Sequence, residues 1–564
     1  MDVLNPPFDS HHILRKKKSI KRSLIDRPNL INKKIAIVSG STIGDIKDVL
    51  DVFLLKFNIS ATFWLGEYNR FYEDVVFSTQ ALLDFEPDII IVHTTARNLD
   101  NPQLLTQLSA VWKTVAEQLG VPLIQNNFEL HDPTFHLSAL EINQLNTIIY
   151  EQAQSNPLFF VCDIQKLSAM YGLHSWLNQQ DYHLYKYAFA VAAIPDYCHS
   201  LAVIIKSLFG QNQKCVVLDL DNTLWGGVVG DVGVESLNLG MDTPSGEAYA
   251  LFQRYLKMLH ANGILLAVCS KNNEETAKKA FEHPQMVLSL DDMSAFYANW
   301  TDKATNISAI AEQLNIGLDS LVFLDDNPAE RDLVAQALPA VHVPNANTPT
   351  EFIAQLERAG YFYVTTISDD DKKRNAYYQT DAKRDQLKKS FVDYDQYLKS
   401  LEMTTQLGHF EQTRLERITQ LINKTNQFNL TTQRLNLQEI QSKVGNPEFI
   451  TYYATLDDKF GSNGIVSAFI GEIRQDALHI SLWVMSCRVF KRELELAILD
   501  QVVAQCREQG LVRLIGYYYP TEKNTYVKDL YQTLGFEQQT DDTWVLTLQD
   551  YTNKNQHIQV VYEV

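Results

Sequence analysis

The sequence predicts an α/β multidomain protein in which two doubly wound parallel-sheet domains are followed by an α+β domain. Over the first two thirds of the chain, short apolar runs that end on polar residues alternate with stretches of helical periodicity, which is typical of a parallel sheet covered by helices. After about residue 405, apolar and polar residues alternate instead, which indicates antiparallel strands. A length of 564 residues is enough for roughly three or four domains.

The first predicted parallel-sheet domain spans 33–205 and follows a polar arm, 1–32. Its predicted strands are KKIAIVSGST (33–42), PDIIIVHTT (87–95) and PLFFVCDI (157–164). Ligands of such sheets bind at the carboxyl ends of the strands. The residues that the sequence places there are Ser39, Ser41, His93 and Thr94. The arm contains the basic run RKKKSIKR (15–22), which we interpret as a solvated helix face.

The second predicted parallel-sheet domain spans 210–360, and a charged helical connector, 361–404, joins it to the α+β domain, 405–564. The predicted strands of the second domain are CVVLD (215–219), ILLAVCS (264–270), MVLSL (286–290) and LVFLDD (321–326). In the last domain we expect helices at 491–509 and 524–534 among the antiparallel strands.

Four groups of polar residues follow one another in the second domain. They are Asp219-Leu-Asp221-Asn-Thr223, Ser270-Lys271-Asn272, Lys303, and Asp325-Asp326. Phosphoryl transfer needs an in-line nucleophile, a hard divalent cation, an acid/base and donors for the equatorial oxygens. The four groups together supply all of these, although each of them alone is common on protein surfaces.

The predicted roles follow from the chemistry of each side chain. Asp219 is expected to attack the phosphorus and form an aspartyl-phosphate, while Asp221 acts as general acid and base. Ser270 and Lys303 are expected to hold phosphoryl oxygens, and the expected substrate-binding residues beside them are Thr223 and Asn272. The predicted Mg²⁺ ligands are Asp219, Asp221, Asp325 and Asp326. Such an anionic cluster would be costly without a cation.

The segment between Thr223 and Ile264 is too short for a large cap domain. We therefore expect an open site, covered at most by the flap WGGVVGDVG, with Trp225 either on the flap as a lid or docking surface or packed beneath it. Open sites suit substrates that are tethered to another protein, whereas closed lids suit small free ones.

The order of DxDxT, Ser, Lys and DD resembles that of the haloacid dehalogenase superfamily. The stretches LDLDNTLWGGVVGDVG, AVCSKNN, FLDDNPAERDLV, KTNQFNLTT and SCRVFKRELE further resemble the FkbH-like proteins over nearly the whole chain. This resemblance implies an SGNH-hydrolase-like first domain, a subfamily IIIC phosphatase with a minimal cap, and a GNAT-like last domain. It also implies that 1,3-bisphosphoglycerate is dephosphorylated and that its glyceryl group is loaded on an acyl carrier protein through a thioester on an enzyme cysteine.

Two cysteines are candidates for the implied thioester. Cys269 adjoins Ser270 at the end of a strand, although it can equally point into the core, and Cys487 ends the strand SLWVMSC. We interpret the remaining cysteines as core residues; they are Cys162, Cys198, Cys215 and Cys506. The absence of a CxxC motif argues against a zinc site and a disulfide framework and fits a reducing cytoplasm.

The resemblance also bears on the two outer domains. In the GNAT-like phosphate turn, Lys491 and Glu493 replace two glycines, so acetyl-CoA binding is doubtful. The single phosphate of a carrier phosphopantetheine can instead pair with Arg488 or Arg492, and Asn524 matches a later family motif. KTNQFNLTT is either a structural loop or the lining of a substrate path.

An SGNH hydrolase pairs a serine with Asp-x-x-His. Ser39 or Ser41 can fill the first role, but Asp181 and His183 are spaced by one residue, so we expect docking or scaffolding in place of esterase activity.

Charge and composition exclude several partners. The net charge of −19 gives no case for nucleic acid or an anionic membrane. The sequence has neither about 18 consecutive apolar residues nor a secretory signal pattern at its start. The leading hypothesis is a cytoplasmic Mg²⁺-dependent phosphatase and acyltransferase with an acyl carrier protein as partner. The alternatives are a simple phosphomonoesterase for a small sugar or acid phosphate and a non-enzymatic carrier-protein docking scaffold.

Overall fold

A computed structural model of the chain describes residues 2–27, 30–130, 138–364, 377, 380, 384, 387, 388, 390–521 and 523–562. The chain divides into two compact units, Met1–Gln211 and Asn212–Val564. Nearly half of the predicted connector, 361–404, lies outside these ranges; its described end contains the helix Tyr394–Ser400. The α/β multidomain prediction is confirmed, and each unit is described below by itself.

The first unit contains a five-stranded parallel sheet with strand order β2-β1-β3-β4-β5. Its strands are β1 (Ile31–Ser39), β2 (Ile59–Leu65), β3 (Ile89–His93), β4 (Leu123–Asn126) and β5 (Phe159–Cys162). Its helices are α1 (Ser10–Ile25), α2 (Gly44–Lys56), α3 (Phe71–Val76), α4 (Thr79–Phe85), α5 (Leu104–Thr114), α6 (Ala139–Ser155), α7 (Ile164–Tyr171), α8 (Leu173–Trp176), α9 (Gln179–Tyr185) and α10 (Ile194–Leu208). Successive residues of β1 and β3 enter two apolar cores, one on each face of the sheet.

The basic arm is part of this unit. Helix α1 packs along α2, where Lys17 pairs with Asp45 and with Asp48 at 3.2 Å, and Lys21 pairs with Asp51 at 2.6 Å. The interpretation of the basic run as a wholly solvated face is therefore corrected, because two of its lysines neutralise the acidic face of α2.

One helical stretch of the described chain, Val191–Leu208, is long and apolar enough to cross a membrane by length and composition. Since 72% of it is buried against the rest of the unit, it is typical of a core helix.

The second unit begins with a four-stranded parallel sheet of order β8-β7-β6-β9. The strands are β6 (Cys215–Leu218), β7 (Leu265–Ser270), β8 (Met293–Ala298) and β9 (Leu321–Leu324). The helices are α11 (Val229–Val232), α12 (Pro244–Ala261), α13 (Glu274–Ala280), α14 (Lys303–Gln313), α15 (Pro328–Ala337) and α16 (Pro349–Ala359).

The predicted strand MVLSL (286–290) is wrong, because the third strand is β8, further along the chain. The backbone N–H groups of Val287 and Leu288 donate instead to the Gln253 side chain. β8 is an edge strand with partly exposed side chains, so its apolar signal is weaker than that of the preceding loop.

The rest of the second unit is a mixed eight-stranded sheet of order β15-β16-β14-β13-β12-β11-β10-β17, which agrees with the predicted α+β domain. The strands are β10 (Met403–Gly408), β11 (Phe449–Asp458), β12 (Gly461–Arg474), β13 (Ala477–Met485), β14 (Arg513–Tyr517), β15 (Glu537–Gln538), β16 (Thr543–Thr547) and β17 (Ile558–Tyr562). The helices, from the connector onward, are α17 (Tyr394–Ser400), α18 (Leu415–Lys424), α19 (Leu437–Gln441), α20 (Leu494–Glu508) and α21 (Leu530–Thr533). The helix predicted at 524–534 is shorter than expected and follows a 3-10 turn, Thr525–Val527.

Candidate active site

Three carboxylates meet at the carboxyl edge of the four-stranded sheet. Asp219 follows β6, and Asp325 and Asp326 follow β9; the ends of these neighbouring parallel strands pair at Leu218 and Leu324. One carboxylate oxygen from each aspartate lies within 4.8 Å of the others. The strand order thus brings together side chains that are more than a hundred residues apart.

Lys303, the first residue of α14, closes this cluster from the other side. Its Nζ lies 2.9 Å from Asp219 Oδ1 and also bonds the Asp325 carboxylate, and its side chain is 4% exposed. Burial would lower the pKa of Lys303, but the charges of Asp219 and Asp325 outweigh burial and raise this pKa. Burial raises the pKa of both aspartates in spite of the ammonium group.

The donor set fits Mg²⁺. Three carboxylates face one ammonium group, so the cluster keeps an excess of negative charge that a hard divalent cation can neutralise. In an octahedral oxygen shell with metal–oxygen distances of about 2.1 Å, ligand oxygens are separated by about 3 to 4 Å, which the spacing of the cluster allows. Asp219, Asp325 and Asp326 are therefore the residues that would hold the ion.

The Asp221 carboxylate lies outside this cluster. Asp221 Oδ1 accepts hydrogen bonds from Trp225 Nε1 at 2.9 Å and from Val229 N at 3.0 Å, and Oδ2 accepts one from Asn272 Nδ2 at 2.9 Å. We correct the prediction that its side chain binds the metal, because the Asp221 carboxylate is not one of the three that meet in the cluster and both of its oxygens already accept hydrogen bonds. Asn272, predicted to bind substrate, instead orients Asp221, whose acid/base role stays a prediction.

Trp225 lies beneath the flap and not on it. The indole is fully buried and packs edge-to-face on Phe281 with ring centroids 5.8 Å apart. Its N–H group donates the hydrogen bond to Asp221 described above. The interpretation of Trp225 as a lid is therefore corrected, and we interpret it as a residue that positions Asp221. The flap itself is small: Gly226 pairs with Asn238, and α11 forms its tip.

Replacing Trp225 by phenylalanine should lower kcat about tenfold with KM nearly unchanged, because the ring stays while the hydrogen bond that aligns Asp221 is lost. Steady-state kinetics of phosphate release will measure both constants. Trp300→Phe is the matched control, since Trp300 is 77% exposed. Equal kcat values for the Trp225 variant and the wild type would contradict the proposal that Trp225 positions Asp221.

Thr223 is fully buried and supports the second acidic pair. Its Oγ1 accepts a hydrogen bond from Asp326 N at 3.2 Å. The predicted substrate contact is corrected, because the side chain is inaccessible and its hydroxyl is engaged with Asp326. Arg331 has a related role that the sequence did not reveal: its Nη1 donates to the carbonyl oxygens of Asp325 at 2.7 Å and Asp326 at 2.9 Å. Its position on α15, shortly after DDNP, is the available signal.

Ser270 lies at the end of β7, and its buried side chain hydrogen-bonds Asp219. The structure therefore brings Ser270 to Asp219, and its predicted role in holding phosphoryl oxygens stays a prediction. The next residue, Lys271, is partly exposed and pairs with Glu330 Oε1 at 2.6 Å.

Cys269 points away from this edge. Because side chains alternate along β7, the thiol lies in the apolar core with Cys215 and Val217, and burial raises its pKa to about 12. A thiol with that pKa is protonated at neutral pH, so the prediction of Cys269 as the acyl carrier is corrected.

Cys487 is partly exposed but remote from the phosphoryl site. Its carbonyl oxygen accepts a hydrogen bond from Asn315 Nδ2 at 2.9 Å. Asn315 follows the far end of α14, whose 11 residues rise about 16 Å from Lys303. Direct transfer of an acyl group between the two places is therefore excluded in this arrangement.

Iodoacetamide should alkylate Cys487 first in the native protein at neutral pH and leave Cys269 unmodified, because only the former thiol is accessible to the reagent. Peptide mass spectrometry after a time course will measure both rates, and labelling in denaturant shows that each cysteine peptide is detected. Similar native rates for the two cysteines would contradict the buried position of Cys269.

The predicted phosphate turn of the last domain keeps its shape without glycine. Lys491 and Glu493 have φ angles of 62° and 63°, in the left-handed region that favours glycine. However, the Glu493 carboxylate stands at the start of α20, where it lies 2.8 Å from His557 Nδ1. A carboxylate at this position repels a phosphate, so the turn does not fit the phosphopantetheine phosphate.

The remaining predicted residues of this turn make contacts within the unit. The Arg488 guanidinium stacks on the Tyr377 ring at 4.4 Å, and Arg492 pairs with Asp458 at 3.1 Å. Asn524 is fully buried, and its amide bonds backbone groups of the same domain. We correct the substrate-binding predictions for Arg488 and Asn524, since both side chains are engaged structurally.

Among the described residues of the first unit, neither Ser39 nor Ser41 is hydrogen-bonded to a histidine. His93 Nδ1 accepts a hydrogen bond from the Asn126 amide at 3.1 Å, and burial lowers the pKa of His93 to about 3. Ser39 donates to the Ser41 carbonyl at 2.6 Å, and Thr94 accepts from Gln125. The expectation of no esterase activity stays a prediction.

Comparison with solved structures identifies a relative of the catalytic part. The N-terminal part of the protein BF1531 from Bacteroides fragilis, which contains a phosphatase domain complexed with Mg, is 32% identical, with a TM-score of 0.58. The match covers 62% of this chain and 99% of the relative.

Weaker similarities cover a smaller share of the chain. The match to the ribosomal-protein-S18-alanine N-acetyltransferase from Escherichia coli covers 27% of this chain and 99% of that protein, at 12% sequence identity. The match to the spermidine/spermine N-acetyltransferase SpeG from Vibrio cholerae covers 27% of this chain and 96% of that protein, at 10% sequence identity. Their TM-scores of 0.21 are too low to carry an argument, so the GNAT-like assignment stays a prediction. No family model and no curated protein matches the chain.

The relative is matched along 99% of its length and contains a phosphatase domain complexed with Mg, and this chain brings three carboxylates that fit Mg²⁺ to one sheet edge. The chain therefore belongs to the FkbH-like family of BF1531 and contains a phosphatase domain of the haloacid dehalogenase type.

Proposed function

We propose that this protein is a Mg²⁺-dependent enzyme that removes the ester phosphate of a phosphorylated short hydroxy acid while its acyl group is carried to an acyl carrier protein. The observation that carries the proposal is the cluster of Asp219, Asp325 and Asp326 closed by Lys303 at an open sheet edge. The substrate we favour is 1,3-bisphosphoglycerate, which joins an acyl phosphate at C1 to a phosphate ester at C3.

The residues of the site support a two-step displacement at phosphorus. Asp219 attacks the C3 phosphorus, the bond from phosphorus to the C3 oxygen breaks, and protonated Asp221 gives its proton to that oxygen. Asp221 then takes a proton from water, which attacks the aspartyl-phosphate and releases phosphate and free Asp219. Lys303 and Ser270 hold Asp219 for both steps. A bound Mg²⁺ would neutralise charge on the transferring phosphoryl group.

Acyl transfer is a separate step at C1. A thiolate attacks the C1 carbonyl, the bond from C1 to the phosphate oxygen breaks, and phosphate leaves as the thioester forms. Because Cys269 is buried and Cys487 contacts Asn315, just beyond the end of α14 opposite to Lys303, we assign this thiolate to the carrier's own phosphopantetheine arm. The small flap supports access of such an arm to the phosphoryl site.

The second candidate is a phosphomonoesterase for a small acid phosphate. The specific observation in its favour is that, in the described part of the chain, no cysteine lies exposed at the carboxylate cluster. A non-enzymatic scaffold is disfavoured, because it would not require a buried lysine between two buried aspartates.

The two candidates are separated by one reaction. Full-length protein, Mg²⁺, 1,3-bisphosphoglycerate and a phosphopantetheinylated acyl carrier protein are mixed, and intact masses and free phosphate are measured. We expect the carrier to gain one glyceryl group and two phosphates to be released for each adduct. Phosphate release without an adduct on carrier or enzyme would select the phosphomonoesterase.

We place the reaction in a reducing compartment such as the cytoplasm, since all six cysteines are free thiols.

A further inference from the structure

One edge of β13 in the C-terminal domain is completed by a distant part of the chain. β13 and β14 pair in parallel up to Ile480 and Gly516. β13 nevertheless continues to Met485. The second half of β13 would therefore present unpaired N–H and C=O groups on that edge, and such an edge binds extended amide chains.

The segment Phe428–Thr431, which belongs to the motif KTNQFNLTT, occupies this edge. Leu430 N donates to Trp483 O at 3.5 Å, and Met485 N donates to Phe428 O at 3.1 Å. These two bonds are those of an antiparallel pair of strands. Phe428 and Leu430 are at most 1% exposed, so the segment is also part of the apolar core.

The other side of the segment is bonded as well. The Leu430 carbonyl accepts a hydrogen bond from Tyr519 N at 2.9 Å, just beyond the end of β14. Asn524 Nδ2 donates to the carbonyls of Asn429 and Tyr519, each at 2.9 Å. Asn524 Oδ1 accepts from Thr521 N at 2.7 Å, so the whole amide group is used as a clamp.

We infer that Phe428–Thr431 fills the gap between β13 and β14 as a resident strand, so that the C-terminal domain takes no CoA or phosphopantetheine arm there. A pantetheine arm contains two amide groups and would need the backbone edges that the segment already uses on both sides. The acidic start of α20 opposes a phosphate in the neighbouring turn for the independent reason given above. The inference agrees with the replacement of two glycines by Lys491 and Glu493, from which the sequence already argues against acetyl-CoA binding.

Ligand titration of the full-length protein tests this inference. Calorimetry with CoA, acetyl-CoA and pantetheine should show no saturable heat up to about 1 mM ligand. Hydrogen exchange should be slow at the amides of Leu430, Met485 and Tyr519 and unchanged by CoA. Saturable binding of CoA that makes hydrogen exchange faster in Phe428–Thr431 would overturn the inference. Binding that leaves this exchange slow would show that CoA binds outside the gap between β13 and β14, which supports the inference.

A variant of the clamp tests whether the strand can be displaced. Asn524→Asp keeps the acceptor for Thr521 but loses both donated hydrogen bonds, so exchange at Leu430 and Tyr519 should become about 5- to 30-fold faster, still without CoA binding. Asn446→Asp, at an exposed loop, is the matched control. A folded Asn524→Asp variant that gains saturable CoA binding would show a displaceable strap and contradict a resident strand.

Discussion

Asp219→Asn should reduce phosphate release by at least about 10³-fold, because the amide cannot attack phosphorus and no other carboxylate occupies its place at the end of β6. The loss should appear in kcat. The fold should persist, since the replacement is isosteric and removes a buried carboxylate whose pKa burial already raises. Single-turnover and steady-state phosphate assays of full-length protein, with Mg²⁺ in excess, will measure the effect.

The matched control for this variant is Asp242→Asn, an exposed carboxylate of the same domain that accepts a hydrogen bond from Gln285. It should keep wild-type kcat and stability. If Asp219→Asn retained more than about a tenth of the wild-type kcat, a direct attack of water on the substrate would be the better mechanism.

Lys303→Met should lower the free energy of unfolding of the metal-free protein by about 3–5 kcal/mol, because it leaves Asp219 and Asp325 buried without their cation. Burial raises the pKa of both aspartates above the ordinary value. Their uncompensated charge therefore costs stability as the pH rises past about 4, and the loss should shrink in acid, where both are protonated. Urea unfolding followed by tryptophan fluorescence, in EDTA and at several pH values, will measure it.

Magnesium should restore part of the lost stability of Lys303→Met, because an ion that binds only the native protein stabilises it by mass action. Lys257→Met is the control: Lys257 pairs with Asp292, but its side chain is 45% exposed, so its loss should cost about 1 kcal/mol or less. Equal losses for the two variants, or no rescue by Mg²⁺, would contradict the proposed charge balance of the site.

The parallel-sheet architecture could be predicted because buried strands in such sheets give uninterrupted apolar runs. β6 and β9 were predicted well for this reason, and both end on the aspartates of the site. The third strand was misplaced because β8 lies at the edge of the sheet, where partial exposure weakens the apolar signal. The loop before it is apolar enough to resemble a strand, and the Gln253 side chain bonds its backbone.

The site could be predicted as far as the identity of its carboxylates, lysine and serine, because strand ends in one sheet converge. Side-chain direction could not be predicted. The sequence left Trp225 either on the flap or beneath it, and the structure shows the indole beneath the flap, bonded to Asp221. Cys269 could point either way from its position, and one step along β7 separates it from Ser270 on the other face. Arg331 acts through backbone carbonyls, so only its position shortly after DDNP could have indicated its role.

The central claim is that Asp219 carries the phosphoryl group. Full-length protein with Mg²⁺ is mixed with 1,3-bisphosphoglycerate or, for comparison, with a simple acid phosphate, quenched with acid within one turnover and digested. Peptide mass spectrometry is expected to find one phosphoryl group on the peptide that contains Asp219, and none in Asp219→Asn. Rapid release of phosphate without a phosphorylated Asp219 peptide at any quench time would contradict this account.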